Sequence, residues 1–324
     1  MKPHTRIAAV LAALVLACAG TAAAQSWPAK PIRMIVTFPP GGSTDLVARA
    51  IAPKMAEKLG QQVLVENRPG AGGNIGMDLV AKAAPDGYTV GIGAAGALAV
   101  NVSLYPAMPF APEKDLAPVS MVAMIPFVLV GGPTLAAKDL RETIALARAQ
   151  PGKLSMGHGG NGTAMHLSGE LLKMLAKLDI AAIPYKGSGP AAADTLGGQL
   201  QMAVVDVPSS LANIRAGKLK ALAVTTPRRI TALPDVPTFA ESGVAGYDST
   251  GWFGLVTTAG VSGEIIARLN AALVETLAAP EVRERVIAAG AEPLTGSPQE
   301  FAAMIRSETQ KWAQVVKVSG AKAQ

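Results

Sequence analysis

From residue 31 onward, short apolar runs alternate with stretches whose apolar positions recur at helical spacing. Ile32, Met34, Ile35, Val36 and Phe38 form a run long enough for a buried strand and too short for a helix. Pro39-Pro40-Gly41-Gly42 ends that strand. Ser43, Thr44 and Asp45 then introduce the helical spacing of Leu46, Val47, Ala50 and Ile51. The unit is a strand, a glycine turn and a helix start, where free N–H groups and the positive end of the dipole suit an anion. The turn lacks the Lys-Ser/Thr ending of a nucleotide P-loop and the spacing of a dinucleotide fingerprint, which disfavours nucleotides. Most turns of this kind in α/β folds hold nothing, and the occupant expected here is one end of a carboxylate. Pro53 is expected to kink this helix or break it early.

Further strands are expected at 62–66 and 88–92, with a glycine loop at 67–74, a helix at 75–83, and Gly93-Ala94-Ala95-Gly96 after the third strand. Three successive strand ends therefore run into small-residue loops, and in a parallel sheet those loops share the edge where open α/β folds bind ligands. A long extended segment at 121–130, interrupted by Pro126, reads as a crossover between two domains. Beyond it come a helix at 143–149 and a strand at 154–157. The loop His158-Gly159-Gly160-Asn161-Gly162-Thr163 leads to a helix at 163–178. A strand at 181–185 enters the turn Lys186-Gly187-Ser188-Gly189-Pro190, and strands follow at 202–207 and 219–225. A return strand at 250–257 precedes helices at 262–278, 281–289 and 297–318, the last with a Ser297/Glu300 capping box. The second half repeats the architecture of the first. The expected fold class is α/β: two lobes with facing loop edges, hinged as a clamp. The expected division is a leader at 1–24, a first lobe at 25–125, a second at 126–249, and a return to the first at 250–324.

Lys2 and Arg6 precede an apolar stretch at 7–17, and Ala22-Ala23-Ala24 supplies small residues for cleavage, so the start reads as a secretory signal peptide cut near Ala24. The single cysteine, Cys18, lies in this leader; Leu16 is atypical of a lipoprotein signal, which favours a soluble exported protein. The mature chain then has no thiol for a disulfide, a nucleophile or a metal. Its length exceeds one compact core, in keeping with two domains. Removal of Lys2 and Arg6 lowers the formal charge from +6 to +4, a mild excess that agrees with an anionic ligand, and no basic run is dense enough for nucleic acid.

No catalytic constellation stands out. His158 and His166 lack a carboxylate partner nearby, and His166, one turn into its helix, reads more simply as a structural histidine than as a ligand contact. Lys186 and Ser188 suit an exposed turn better than a catalytic dyad. Asp45 is a helix-start residue favoured by the dipole, or an acceptor for the amino group of an amino-acid ligand. Asp206, near a strand end, faces the cleft or bonds neighbouring backbone. Neither a cofactor nor a metal site is expected.

Taken in order, Trp27-Pro28, IRMIVTFPPGGSTDLVAR, VENRPGAGGNIG, DGYTVGIG, SMGHGGNGTAMHLSGE, IPYKGSGPAAADTLGGQLQ and LPDVPTFAESG resemble the Bug family, receptors of tripartite tricarboxylate transporters. The resemblance runs from Trp27 to the last helix. It implies a periplasmic solute-binding protein with a two-lobed Venus-flytrap fold, holding an organic acid, amino acid or aromatic acid between its lobes. By resemblance the first lobe grips one carboxylate through Phe38, Pro39, Gly42, Ser43 and Asp45, with help from Asn74, Ala94 and Ala95. The second lobe contributes Asn161, Thr163, His166, Tyr185, Lys186 and Asp206 and sets specificity. The implied partners are the membrane components of a tripartite carrier, and the chain is expected to be a monomer and not an enzyme. The alternatives are a sensor partner of a membrane receptor and an exported α/β enzyme. The chain departs from the family pattern at Pro53 and in the His158-Gly159-Gly160-Asn161 loop.

Overall fold

The computed structural model describes residues 27–319 and residue 322; the expected leader lies outside them. Strand β1 (Ile32–Val36) buries every residue except Arg33. Helix α1 (Ser43–Leu59) follows and buries Val47, Ala48, Ile51, Met55 and Leu59 against the sheet, the three- and four-residue spacing of a single face. Gly60, in the left-handed region at φ 71°, closes it.

The expected break at Pro53 does not occur, since α1 runs through it to Leu59. Pro53 lies on the exposed side of the helix, so the Arg49 carbonyl it leaves without a donor is on the solvent side, while Ala52 and Met55 keep the helix docked. Pro53→Ala restores that donor. It is expected to raise the melting temperature, with a stabilisation of ~1–3 kcal/mol in chemical denaturation.

Strand β2 (Val63–Asn67), helix α2 (Asn74–Ala81) and strand β3 (Thr89–Ala94) complete the first half. Both β2 and β3 pair parallel with β1, which sets their C-terminal loops on one edge. Strand β4 (Leu116–Ile125) belongs to this sheet, and β5 (Phe127–Gly131), beyond Pro126, to a second. The crossover expected at Pro126 thus falls between two sheets, because proline has no N–H with which to continue a ladder.

Helix α3 (Leu140–Ala149) leads to β6 (Ser155–His158), α4 (Ala164–Ala176) and β7 (Ala181–Pro184). Next come α5 (Ser188–Leu196), β8 (Met202–Asp206), α6 (Val207–Arg215) and β9 (Lys220–Val224). The chain returns through β10 (Gly251–Thr258) and ends in α7 (Gly263–Ala278), α8 (Pro280–Ala288), the short β11 (Glu292–Pro293) and α9 (Pro298–Ser319). The expected capping box opens α9: the Ser297 amide donates to Glu300 Oε2 at 2.8 Å, and the Glu300 amide donates to Ser297 Oγ at 3.2 Å.

The first sheet runs β2-β1-β3-β10-β4-β11 and the second β7-β6-β8-β5-β9. In each, the first three strands are parallel and the next is antiparallel, so the two halves share one topology. Residues 125–127 and 249–251 run side by side between the sheets. Gly251 stands in register with Ile125, and Thr225 bonds both Phe127 and Ser249. A methyl group at Gly251 would overlap the tip of the Phe127 ring, so the two crossing segments are in van der Waals contact. On the far side, Trp252 Nε1 and Trp312 Nε1 both donate to Glu308 Oε2, at 3.2 and 2.8 Å, which ties α9 across the return strand.

Candidate functional site

A cavity of about 460 Å³ lies between the two sheets, within the size range of small-ligand sites. Its first-lobe wall is the turn from Phe38 to Thr44 with Ala94-Ala95-Gly96; its second-lobe wall includes Gly159, Thr163, the turn from Lys186 to Pro190, and Asp206. Ile125, Phe127, Gly251, Trp252 and Phe253 line it from the crossing segments and return strand.

Backbone donors set its electrostatics. Helix α1 starts at Ser43 behind Gly42, and no side chain caps it. Helix α5 starts at Ser188 behind Gly187, whose φ of 124° favours glycine, and it too has no side-chain cap. At least one uncapped helix start from each lobe therefore borders the same cavity. By contrast, α4 is capped by Thr163 Oγ1, which accepts the His166 amide at 3.3 Å, and α6 by Asp206 Oδ1, which accepts the Ser209 amide at 3.1 Å. Uncapped N–H groups at a positive dipole end receive an anion without a charged partner.

Two charged side chains line the cavity among the described residues. Lys186 has no hydrogen bond or ion pair there. Asp206 Oδ2 accepts Ser188 Oγ at 2.9 Å and Ser43 Oγ at 3.2 Å, so it joins one hydroxyl from each lobe. The remaining wall is largely apolar: Phe38, Phe127, Trp252 and Phe253 line it in a chain of only six phenylalanines and three tryptophans, which concentrates scarce aromatics here.

Nine of the fourteen residues expected at the site line this cavity: Phe38, Pro39, Gly42, Ser43, Ala94, Ala95, Thr163, Lys186 and Asp206. The structure places the other five outside its lining. Asp45 is buried and occupied: its carboxylate accepts the Gly41 amide at 2.9 Å, Arg49 Nε at 2.9 and 3.1 Å, and Asn67 Nδ2 at 2.9 Å. Burial opposes its ionisation, but Arg49, the Gly41 amide and Asn67 together hold the carboxyl below its usual range. Asp45 therefore shapes the turn from behind. Asn74 accepts Asn101 Nδ2 at 2.6 Å in the first-lobe interior. Tyr185 Oη donates to Asp194 Oδ2 at 2.7 Å, and the Asn161 backbone oxygen would lie 3.5 Å from a methyl group at Gly72. His166 is buried beneath the glycine loop.

Ser188, Phe127, Trp252 and Phe253 were not among the expected site residues. Phe127 had a legible signal, since it follows the crossover proline and a crossover borders the cleft. Ser188 and Lys186 share no hydrogen bond; the serine hydroxyl donates to Asp206 Oδ2 at 2.9 Å and accepts the Asp206 amide at 3.2 Å.

The fold and cleft are those of the two-lobed periplasmic binding proteins. The sequence profile described as "Tripartite tricarboxylate transporter family receptor" matches residues 47–321, and the chain belongs to that family. It is 43% identical over 322 residues to Protein BugT of Bordetella pertussis, with 98% of each chain covered. Among solved structures it is similar to R. palustris Rpa4515 with adipate, at a TM-score of 0.86 and 36% identity, over 92% of this chain and 100% of that one. MatC (Rpa3494) from Rhodopseudomonas palustris with bound malate gives a TM-score of 0.82 and 34% identity, over 90% and 100% of the two chains.

Proposed function

We propose that this chain captures a small carboxylate between its lobes in the periplasm and presents it to the membrane components of a tripartite carrier. The observation that carries this reading is the pair of uncapped helix starts, one on each lobe, bordering a single cavity. Charge-assisted bonds from those N–H groups recognise a carboxylate as such, and the surrounding walls sort its body. The similar structures that hold adipate and malate support a cargo of this class. Among the described residues no helix is long and apolar enough to cross a membrane, in keeping with a binding component that works beside a separate carrier. The lobes that close are residues 25–125 with 250–324, and residues 126–249.

Unpartnered Lys186 is suited to a second carboxylate on the cargo. Lys186→Gln is expected to weaken diacids by roughly tenfold while leaving monoacids within about threefold, measured by calorimetric titration. Thermal shift of protein that has been unfolded and refolded, screened against mono-, di- and tricarboxylates, amino acids and aromatic acids, tests the class. At 100 times its dissociation constant a ligand adds ~2.7 kcal/mol, a rise of roughly 5–10 °C. Shifts with sugars or cations and with no carboxylate would overturn the reading.

A further inference from the structure

The two histidines of the described chain form a buried stack. The His158 and His166 rings lie 4.5 Å apart and 23° from parallel, and the two residues are only 3% and 6% exposed. His158 Nδ1 accepts the Gly160 amide at 3.3 Å, and His166 Nδ1 accepts the Gly162 amide at 3.4 Å. A ring nitrogen that accepts an N–H carries no proton, so each ring is neutral with its proton on Nε2. His158 Nε2 is buried without a hydrogen-bond partner among the described residues.

The loop above the stack takes part in two contacts at once. Gly159 lines the cavity, whereas Gly162 packs on the first lobe: a methyl group there would lie 2.8 Å from Asn101 Oδ1 and 3.0 Å from Leu104 and Tyr105. Gly160 and Gly162, at φ 123° and 82°, hold conformations that side chains rarely adopt, so the loop depends on its partners to keep its shape.

We propose that His158 and His166 are paired positioning residues: as neutral acceptors under the Gly160 and Gly162 amides, they fix the second-lobe glycine loop in the shape that borders the cargo and seats on the first lobe. The proposal rests on the clamp reading above. A proton on either Nδ1 would face a backbone N–H, and two cationic rings 4.5 Å apart would repel. The charged groups that face the stack are Glu170 and Lys173 of α4, which pair with each other at 2.8 Å. Burial is the main cause that lowers both histidines, reinforced for His158 by His166; His158 falls to about 3, and for His166 the nearby Glu170 opposes the shift. The folded protein then binds fewer protons than the unfolded chain, so the stabilisation linked to His158, full above pH ~6.5, is lost as pH falls toward 3, and His166 acts in the same direction.

Three readouts test the proposal. In the full chain with ¹⁵N-labelled histidine, spectra assigned with His158→Asn and His166→Asn are expected to show both rings neutral with Nδ1 bare at pH 7. A cationic ring, or a proton on Nδ1, would overturn the proposal. Hydrogen exchange at the Gly160 and Gly162 amides is expected to be roughly tenfold faster in His158→Leu and His166→Leu. The asparagine variants keep an acceptor near the Nδ1 position and are expected to stay within roughly threefold of the parent. Equal exchange in both series would overturn it; if the leucine variants do not fold, the ring spectra and asparagine variants still decide. With adipate as probe, the leucine variants are expected to bind roughly tenfold more weakly and the asparagine variants like the parent. Absence of carboxylate binding by the parent would count against the cargo reading, while the ring and amide readouts, which need no ligand, would still decide the positioning role.

Discussion

Gly254→Ala is expected to destabilise the protein by about 3 kcal/mol, the upper end of overpacking costs, and to lower the melting temperature by roughly 5–10 °C. Gly254 lies within β10, fully buried, and a methyl group there would overlap the tip of the Phe301 ring and sit 2.6 and 2.7 Å from its edges. Phe301 cannot swing aside: it is fully buried, and Trp252 packs edge-on against it with centroids 5.7 Å apart. The strain would push α9 off the return strand and loosen the wall of the cavity. Leucine at 301 lacks the ring atoms that collide, so Gly254→Ala with Phe301→Leu is expected to be more stable than Gly254→Ala alone. Chemical denaturation of the two single variants and the double variant measures the coupling. A double variant no better than Gly254→Ala would show that the ring is not the obstacle.

Gly42→Asp is expected to move stability and binding in opposite directions. Gly42 has φ −76° and ψ 164°, an extended conformation open to any residue, and the nearest atom to an added Cβ is the Pro39 carbonyl oxygen at 3.5 Å. An aspartate there would cap α1 with its own carboxylate and stabilise the helix by a few tenths to ~1 kcal/mol. The same carboxylate would occupy the donors meant for cargo and repel it. Loss of one charge-assisted hydrogen bond costs ~1.5–3 kcal/mol, so carboxylate affinity should fall by roughly 10- to 150-fold at least. Gly42→Ala supplies no acceptor and should bind like the parent. Paired melting and titration measurements separate this from general damage, which would lower both. An aspartate variant that binds normally would place the anchor elsewhere.

Much of the architecture was legible because the elements carry local punctuation. Pro126 divides β4 from β5 since it cannot serve a ladder, and Ser297 with Glu300 marks the start of α9 within one turn. Pro53 misled because its effect depends on which side of α1 faces solvent, and this is fixed by tertiary packing. The cavity was legible at its backbone end, where Gly42, Ser43 and Lys186 lie where a strand passes into the next helix. It was less so for residues whose partners are remote: Asn74 is engaged by Asn101, Tyr185 by Asp194, and Asp45 by Asn67 as well as by Arg49, its neighbour one turn on. Trp252 and Phe253 are adjacent on β10 and both border the cavity, an arrangement that alternation along a strand does not reveal.

On the proposed function, a carboxylate is held between the lobes by the uncapped start of α1. The most direct test of this is a crystal structure of the refolded protein with the acid that gives the largest thermal shift. Carboxylate oxygens are expected within hydrogen-bond distance of the Ser43 or Thr44 amide, with the lobes closed over them. A cargo bound outside the cavity, or one that turns an apolar or cationic group toward that helix start, would contradict it.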